Sequence, residues 1–587
     1  MLHRFAFIAR YSRTHFALWS LLGIALASRL PLLSLSLGEV DSGNFYNAIK
    51  YGYDITNFRP HAPGYPLYVF IGWSLNAVIK DPLLSLTLLS ALTGSLIVIP
   101  FYFLLRDLTG RRLAFFGGLL FMVNPLQWSF SEAALADVPS AFFVMLAAWL
   151  TYRGRRSNSA FLTSCLVMSL AVGVRQANVC LILLLAFPLV YRYLTIKEIP
   201  IRLVASGAAL FFIVSALWFL PAVFIGTGGF AEYFWAIQNQ WSNAVTASDI
   251  SNLKSPWFLN LFYRLERFFL GYQLLYSWTG SDTKTAGSLL LATPWLFGFA
   301  LFIAGFRVRN PGHVFLALWL FTLLYPVLSI HFLPRYGLAH IPPFVIACLL
   351  GYHYLFSRLR FHPRKFEVLS IGSLGIVFLL YAVKHQLPVN SFEVNPPSIE
   401  WYVGVLVVLA GLAFFIGQRR AVGYQSRHVE RCGADGWFSA NPVVSTCPGV
   451  LAIFLALLVI PFGLLGYDLA SIAHRNISPS QRLVTMVETT YDPSKITVCW
   501  DNQTHSLFEA SESNIVPVGL RDIGELYEAS EAGQALLVSD RCQWFEDLDD
   551  NIGLTEIAHF EGVSPLWSKA PSIRLYITST FDSTYGK

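Results

Sequence analysis

Asp41, Glu132 and Asp137 are carboxylates, and Arg175 and Arg335 guanidiniums, each placed at or near the end of an apolar run. Glu39, Arg59 and His61 complete a short set of ionisable residues in the same kind of position. A carboxylate in a partly dry cleft is suited to taking the proton of a hydroxyl. A guanidinium is suited to holding a phosphate or the charge of a departing phosphate. Such groups together fit the displacement of a phosphate leaving group, which needs a base and cations rather than a general acid. One displacement would invert the reacting carbon. A second, closely placed carboxylate would allow a covalent intermediate instead, and Glu132 and Asp137 remain open for that role.

The elements that must position these groups follow from composition. The chain has 587 residues, of which 55% are hydrophobic, 15% aromatic and only 13% charged. An ordinary soluble domain carries about 25% charged residues. With 41 Lys and Arg and 35 Asp and Glu, a charged skin over several soluble domains is out of reach. A soluble enzyme, a nucleic-acid binder and a disordered scaffold are poor readings, and a basic groove with interleaved aromatics is absent. An α-helical polytopic membrane protein remains.

Apolar runs lie at roughly 15–37, 83–105, 113–130, 138–152, 159–174, 177–193, 203–225, 289–306, 313–331, 336–355, 366–384, 399–416 and 449–468, about thirteen expected spans. Seven basic clusters, from Arg4/Arg10/Arg13 through Arg153/Arg155/Arg156 to Arg419/Arg420/Arg427/Arg431, then all fall on one face, the inner one. A missed or invented span would flip every later cluster, so this agreement tests the span list. It requires the stretch 64–80 to be an interfacial or dipping helix, not a span. The first outer loop is therefore 38–81, and a second long, aromatic outer segment is 226–288. The first apolar run is too long for a cleaved leader and is read as a span. Few ionisable residues sit at mid-depth in these runs. The chemistry is expected at the outer surface.

After Ala470 the chain changes character, with 17 acidic against 8 basic side chains, whereas the first 469 residues carry an excess of 15 basic ones. Ile496 to Trp500, Ile515 to Val518, Ala535 to Ser539 and Ile573 to Thr578 read as strands, and Asp522 to Glu531 as a helix. The expected organisation is a transmembrane domain, 1–469, followed by a small extramembrane α/β domain, 470–587. Cys499 and Cys542 each flank a predicted strand. A disulfide between them and two unrelated buried thiols both fit the pattern. Asn476-Ile-Ser478 and Asn502-Gln-Thr504 are short glycosylation matches that matter only where that machinery exists.

Three segments give the polar set a pattern: Gly38-Glu39-Val40-Asp41-Ser42-Gly43-Asn44 after the first run, then His61-Ala62-Pro63-Gly64-Tyr65-Pro66-Leu67-Tyr68, then Ser131-Glu132-Ala133-Ala134-Leu135-Ala136-Asp137-Val138-Pro139. An acidic residue at the mouth of the first span, this His-x-Pro-Gly-Tyr-Pro-Leu-Tyr segment, a second acidic loop and a trailing polar domain resemble the GT-C superfamily of membrane glycosyltransferases, and within it the protein O-mannosyltransferase-like group. The motifs cover roughly residues 15–200. The resemblance implies Asp41 as catalytic acid/base and a polyprenyl-phosphate-linked sugar as donor. Many relatives carry an Asp-Glu pair or Asp-Ser-Gly-Glu at this place, where this chain has Asp41-Ser42-Gly43-Asn44.

The expected activity is transfer of a hexose, mannose first, from the polyprenyl carrier to a protein hydroxyl or a cell-envelope glycan or lipid. Asp41, Glu132 and Asp137 are the expected catalytic carboxylates, and His61, Tyr65, Arg175 and Arg335 the expected substrate-binding residues. His61 also fits an organiser of its loop. A divalent metal is left open, because the outer carboxylates suit either arrangement. The expected setting is a bacterial plasma membrane with the site facing outward, or else an endoplasmic-reticulum membrane. A transporter or flippase of a lipid-linked saccharide is the rival reading. It requires inverted repeats and paired broken spans, and the Asp41 loop has no second copy.

Overall fold

The computed structural model describes residues 17–37, 40–197, 200–246, 286–328, 334–358, 479–491, 496–499, 535–540, 554–561 and 572–578, with Cys542 and Phe545. The expected spans 366–384, 399–416 and 449–468, the strand at 515–518, the helix at 522–531, the two glycosylation matches and Glu39 lie outside the described residues.

The described part is mainly helical. α1 (Ala17–Leu32) leads into α2 (Val40–Lys50) and α3 (Pro66–Ile79). α4 (Pro82–Leu96) and α5 (Val98–Thr109) run on through Ile97 as one 28-residue apolar helix. At 1.5 Å per residue that is about 42 Å, more than the ~30 Å hydrocarbon core needs. α3, with 14 residues, reaches only about 21 Å, in keeping with its exclusion from the spans. Five described helices are long and apolar enough to cross a membrane: Pro82–Thr109, Gln176–Ile196, Ile201–Gly226, Pro311–Leu328 and Arg335–Leu355.

The expected span 113–130 is two pieces, α6 (Arg111–Met122) and α7 (Pro125–Phe130). The break lies at Asn124, whose side chain accepts a hydrogen bond from the Gln127 N–H, with Pro125 at the first helical position. A side-chain cap followed by proline starts a new helix here rather than continuing the old one. The run 177–193 is also composite, a 3-10 segment Gln176–Leu185 flowing into α10 (Ala186–Ile196).

α8 (Asp137–Gly154) and α9 (Asn158–Val174) form a central hairpin. Ser157 caps α9 by accepting from the Ala160 N–H. α8 buries Val138, Ala141, Val144, Met145 and Ala148 completely, and such small and medium side chains let helices approach closely in a membrane. α11 (Ile201–Gly226) packs on α9. Ser169 and Ser215 share a 2.9 Å hydrogen bond, and Trp218 Nε1 donates to Ser169 Oγ at 3.3 Å. The opposite face of α11 leaves Phe212, Ile213, Leu217, Phe224 and Ile225 exposed, as a lipid-facing helix requires.

The segment expected to be the second long outer one holds a helix, α12 (Phe230–Thr246). α13 (Ala286–Ala304), α14 (Pro311–Phe321), α15 (Leu324–Leu328), a 3-10 turn Pro334–His340 and α16 (Ile341–Arg358) follow. α13 and α16 meet backbone to backbone, since a Cβ on Gly351 would collide with Gly298 O and Phe302 N.

Beyond residue 470 the described residues hold α17 (Pro479–Thr490) and four strands, β1 (Ile496–Cys499), β2 (Ala535–Ser539), β3 (Leu554–Glu561) and β4 (Ser572–Thr578). The sheet order is β1-β2-β4-β3, with β1 parallel to β2 and the other pairs antiparallel. The sequence does not point to β3, because its alternation is broken where Glu556 and Ala558 flank a register shift. Cys499 and Cys542 are joined in a disulfide, with S–S 2.00 Å.

Candidate active site

Asp41 lies in the first turn of α2, where a carboxylate faces the positive end of the helix dipole. The loop that follows is pinned at several points. Asp54 and Arg59 pair as an antiparallel bridge, and the Asp54 carboxylate accepts from the Thr56 and Asn57 N–H groups. Ile55 N donates to Gly226 O at 2.8 Å. Tyr53 and Tyr233 donate their hydroxyls to Gly64 O and Pro63 O, at 2.9 and 3.1 Å. Gly64 has φ +102, and a Cβ there would sit 2.5 Å from both Tyr53 Oη and Ile55 Cδ1, so glycine is the residue this turn accepts. The result is a loop that presents His61 and Tyr65 beside α2.

Asp137 opens α8 after the non-helical link 131–136. Arg175 closes α9 in extended conformation. Arg335 is the second residue of the 3-10 turn before α16. These ends meet at one point. Arg335 Nη2 donates to Asp41 Oδ2 at 2.6 Å, and its Nη1 reaches Asp137 Oδ2 at 3.4 Å. Arg175 Nη1 holds the other Asp137 oxygen. Both guanidiniums lie against the Tyr336 ring, Arg175 at 4.4 Å and Arg335 at 5.5 Å from its centroid. His61 Nδ1 stands 3.6 Å from Asp41 Oδ1 and 3.4 Å from Asn44 Nδ2, while Nε2 is 3.3 Å from the Tyr65 hydroxyl.

The electrostatics follow from this arrangement. Burial opposes ionisation of Asp41, but the Arg335 guanidinium, with His61 and Arg175 behind it, holds its carboxyl below the usual range. Burial pulls the His61 imidazole down, outweighing the attraction of Asp41, so the ring favours its neutral form. The Tyr65 hydroxyl is pushed up by burial. Asp137 is the more enclosed carboxylate, with 2% side-chain exposure against 20% for Asp41. Asp41 is therefore the more accessible of the two.

Of the residues singled out from sequence, Asp41, His61, Tyr65, Asp137, Arg175 and Arg335 are brought together. Glu132 faces elsewhere. Its carboxyl is buried, raised well above its usual range by that burial, and faces Arg29 and Trp128. Arg29 in turn donates to Met122 O at 2.8 Å and lies 5.7 Å from the Trp128 ring centroid, and Ser34 N donates to Glu132 O at 3.2 Å. Arg59 lies over Tyr51, 5.6 Å from the ring centroid. Three further residues enter the picture. Asn44 sits one helical turn from Asp41, and Tyr336 follows Arg335 directly. Arg29 was legible as a charge near the end of the first apolar run, which is expensive unless paired.

The set fits a phosphate better than a divalent metal. Two guanidiniums converge with an aromatic plate, whereas no group of three or more His, Cys, Asp or Glu with ligand-like convergence occurs among the described residues. Asp137 directs both oxygens at the arginines, and Asp41 directs one at Arg335 and the other toward His61.

Residues 60–222 match the family described as dolichyl-phosphate-mannose-protein mannosyltransferase. That segment carries the His61 loop, Glu132, Asp137 and Arg175, and the family resemblance read from the motifs is borne out over it. No curated protein matches the chain. Among solved structures, the chain is similar to ArnT from Cupriavidus metallidurans bound to undecaprenyl phosphate, at 14% identity over 97% of this chain and 98% of that one, with TM-score 0.48. It is also similar to the oligosaccharyltransferase AglB from Archaeoglobus fulgidus in complex with an inhibitory peptide and a dolichol-phosphate, at 14% identity over 96% and 74%, with TM-score 0.48. At these values the likeness carries no chemistry across to this chain.

Proposed function

We propose that the chain is a membrane glycosyltransferase that moves a sugar from a polyprenyl-phosphate carrier to a hydroxyl acceptor, by inverting displacement with Asp41 as base. The observation that carries this reading is the meeting of Asp41, the more exposed carboxylate, with the Arg175 and Arg335 guanidiniums over Tyr336. The family match over residues 60–222 supports it.

In this reaction the acceptor oxygen attacks the sugar's anomeric carbon while the bond from that carbon to the phosphate oxygen breaks. The electron pair leaves with the polyprenyl phosphate, and the acceptor's proton passes to Asp41 Oδ. Arg335 and Arg175 bind the phosphate and hold the extra charge that develops on it. In this reading they fill the part that a divalent cation plays in other phosphate chemistry. Asp137 keeps the two guanidiniums in register and is a positioning residue. Glu132 holds the link 131–136 to α1 through Arg29. His61 and Tyr65 line the acceptor side.

The finer assignments belong to the same proposal: mannose or another hexose as the sugar, a protein hydroxyl or an envelope glycan or lipid as acceptor, about thirteen spans, and residues 470–587 as a separate domain on the active-site side of a bacterial plasma membrane. The test supplies purified protein with labelled polyprenyl-phosphate hexose and an extract of envelope proteins and lipids, comparing native protein with Asp41→Asn. Label transfer by the native protein and its loss in the variant is the expected result. Undiminished transfer by the variant would remove Asp41 as the base, and no transfer with any carrier sugar would remove the activity.

A further inference from the structure

Each guanidinium of the site is already matched to a carboxylate. Asp137 takes Arg175 on one oxygen and Arg335 Nη1 on the other, whereas Asp41 takes Arg335 Nη2 alone. A carboxylate tied to a guanidinium at 2.6 Å is a weak base, poorly matched to a hydroxyl proton. The same nitrogen is among the donors a phosphate would use. Arg335 is 4% exposed and lies against the Tyr336 ring, so it has little freedom to leave the site. One of its nitrogens can change partner while the other keeps Asp137.

We infer that the donor's phosphodiester and Asp41 compete for Arg335, so that binding of the donor draws Nη2 off Asp41 and strengthens that base only when substrate is in place. This rests on the glycosyl-transfer reading above and adds an order of events to it. Asp41 is faced by Arg335, His61 and Arg175, with Asp137, Tyr65 and Tyr336 on the adjoining elements. Among them Arg335 makes the close charge-assisted contact, so its loss dominates the change at Asp41. Asp137, paired with both guanidiniums, keeps Arg175 and Arg335 facing the phosphate through the exchange. Acceptor deprotonation is thereby confined to complexes that already hold the donor.

The consequence is unusual for a base: removing it tightens donor binding. Binding of a short-chain polyprenyl methyl phosphodiester, which carries one fixed negative charge, is measured by calorimetry in detergent for the native protein, Asp41→Asn and Asp41→Ala. The two variants remove the charge with different side-chain volumes, so a folding defect in one leaves the other readable. We expect each folded variant to bind the phosphodiester about tenfold or more tightly than the native protein, the scale of one charge-assisted hydrogen bond, and to transfer no sugar. Adding Arg335→Gln to Asp41→Asn should abolish the gain. Variants that bind no tighter than a native protein that does bind would overturn the competition and leave the transferase reading standing. Failure of the native protein to bind the phosphodiester would overturn that reading itself, and the competition with it.

Discussion

Arg335 and Asp41 stand 294 residues apart in sequence and 2.6 Å apart in space. Their ion pair closes a charge network, Arg175–Asp137–Arg335–Asp41, whose members come from the ends of four different elements. The network is balanced, two cations against two anions. Each member is consequently sensitive to loss of its neighbour.

Asp137→Ala should be the most damaging single change in it. Removing that carboxylate leaves two buried guanidiniums facing each other, and breaking a buried pair costs about 3–5 kcal/mol. A large fall in thermal stability in detergent, with donor binding weakened, is the expected outcome. Asp137→Asn keeps the shape and should lose less. Equal stability of native protein and Asp137→Ala would contradict the network.

The pH dependence follows from the two shifted groups. Asp41 is held low in the folded protein, so its contribution to stability is complete above the unfolded carboxylate value of about 3.9. It is lost as pH falls through the lower folded value. Between pH 7 and 5 stability should not fall on account of this residue. His61 is shifted downward, so kcat/KM should show no acid limb at the ordinary histidine value of about 6.5. A limb at that value that disappears in His61→Gln would show the ring titrating normally.

Arg29 and Glu132 are predicted to act as a structural couple. Arg29→Met alone strands the buried Glu132, and Glu132→Leu alone strands Arg29. The double variant Arg29→Met/Glu132→Leu removes both and should be more stable than the sum of the single losses predicts, by about 1–3 kcal/mol. Sugar transfer should survive in the double variant. Loss of transfer with stability intact would instead put Glu132 in the chemistry.

The Cys499–Cys542 disulfide predicts a labelling pattern. In denatured, unreduced protein these two cysteines should resist alkylation, and they should label only after reduction, as read by peptide mass spectrometry. Replacing both with serine should cost about 2–4 kcal/mol in the part that contains the sheet, with the membrane-embedded helices unaffected. Full labelling without reduction would exclude the bond.

Much of the candidate site was legible because a bilayer makes charge scarce. With 13% charged residues, the few outside the basic clusters stood out at once, and Asp41, Asp137, Arg175 and Arg335 were among them. The helices α8, α9 and α11 were legible for the same reason, being apolar runs of helical length. The break at Asn124-Pro125 was written in residues that cap and start helices, yet apolar composition on both sides concealed it. Strand β3 was obscured by Glu556 and His559 within it, charged or polar residues that an exposed strand face tolerates.

Residue types and hydropathy alone determined that this chain is a membrane protein of helices with its ionisable groups held to the ends, and which groups those are. Only the tertiary structure decided which of them meet. Glu132 and Asp137 are five positions apart and look equivalent along the chain. The non-helical link between them turns Glu132 toward Arg29 and places Asp137 between Arg175 and Arg335. Linear spacing specifies a shared face only within one regular element. Where the chain turns between elements, partners are set by packing, and the pairing of Asp41 with Arg335 is a property of the folded chain.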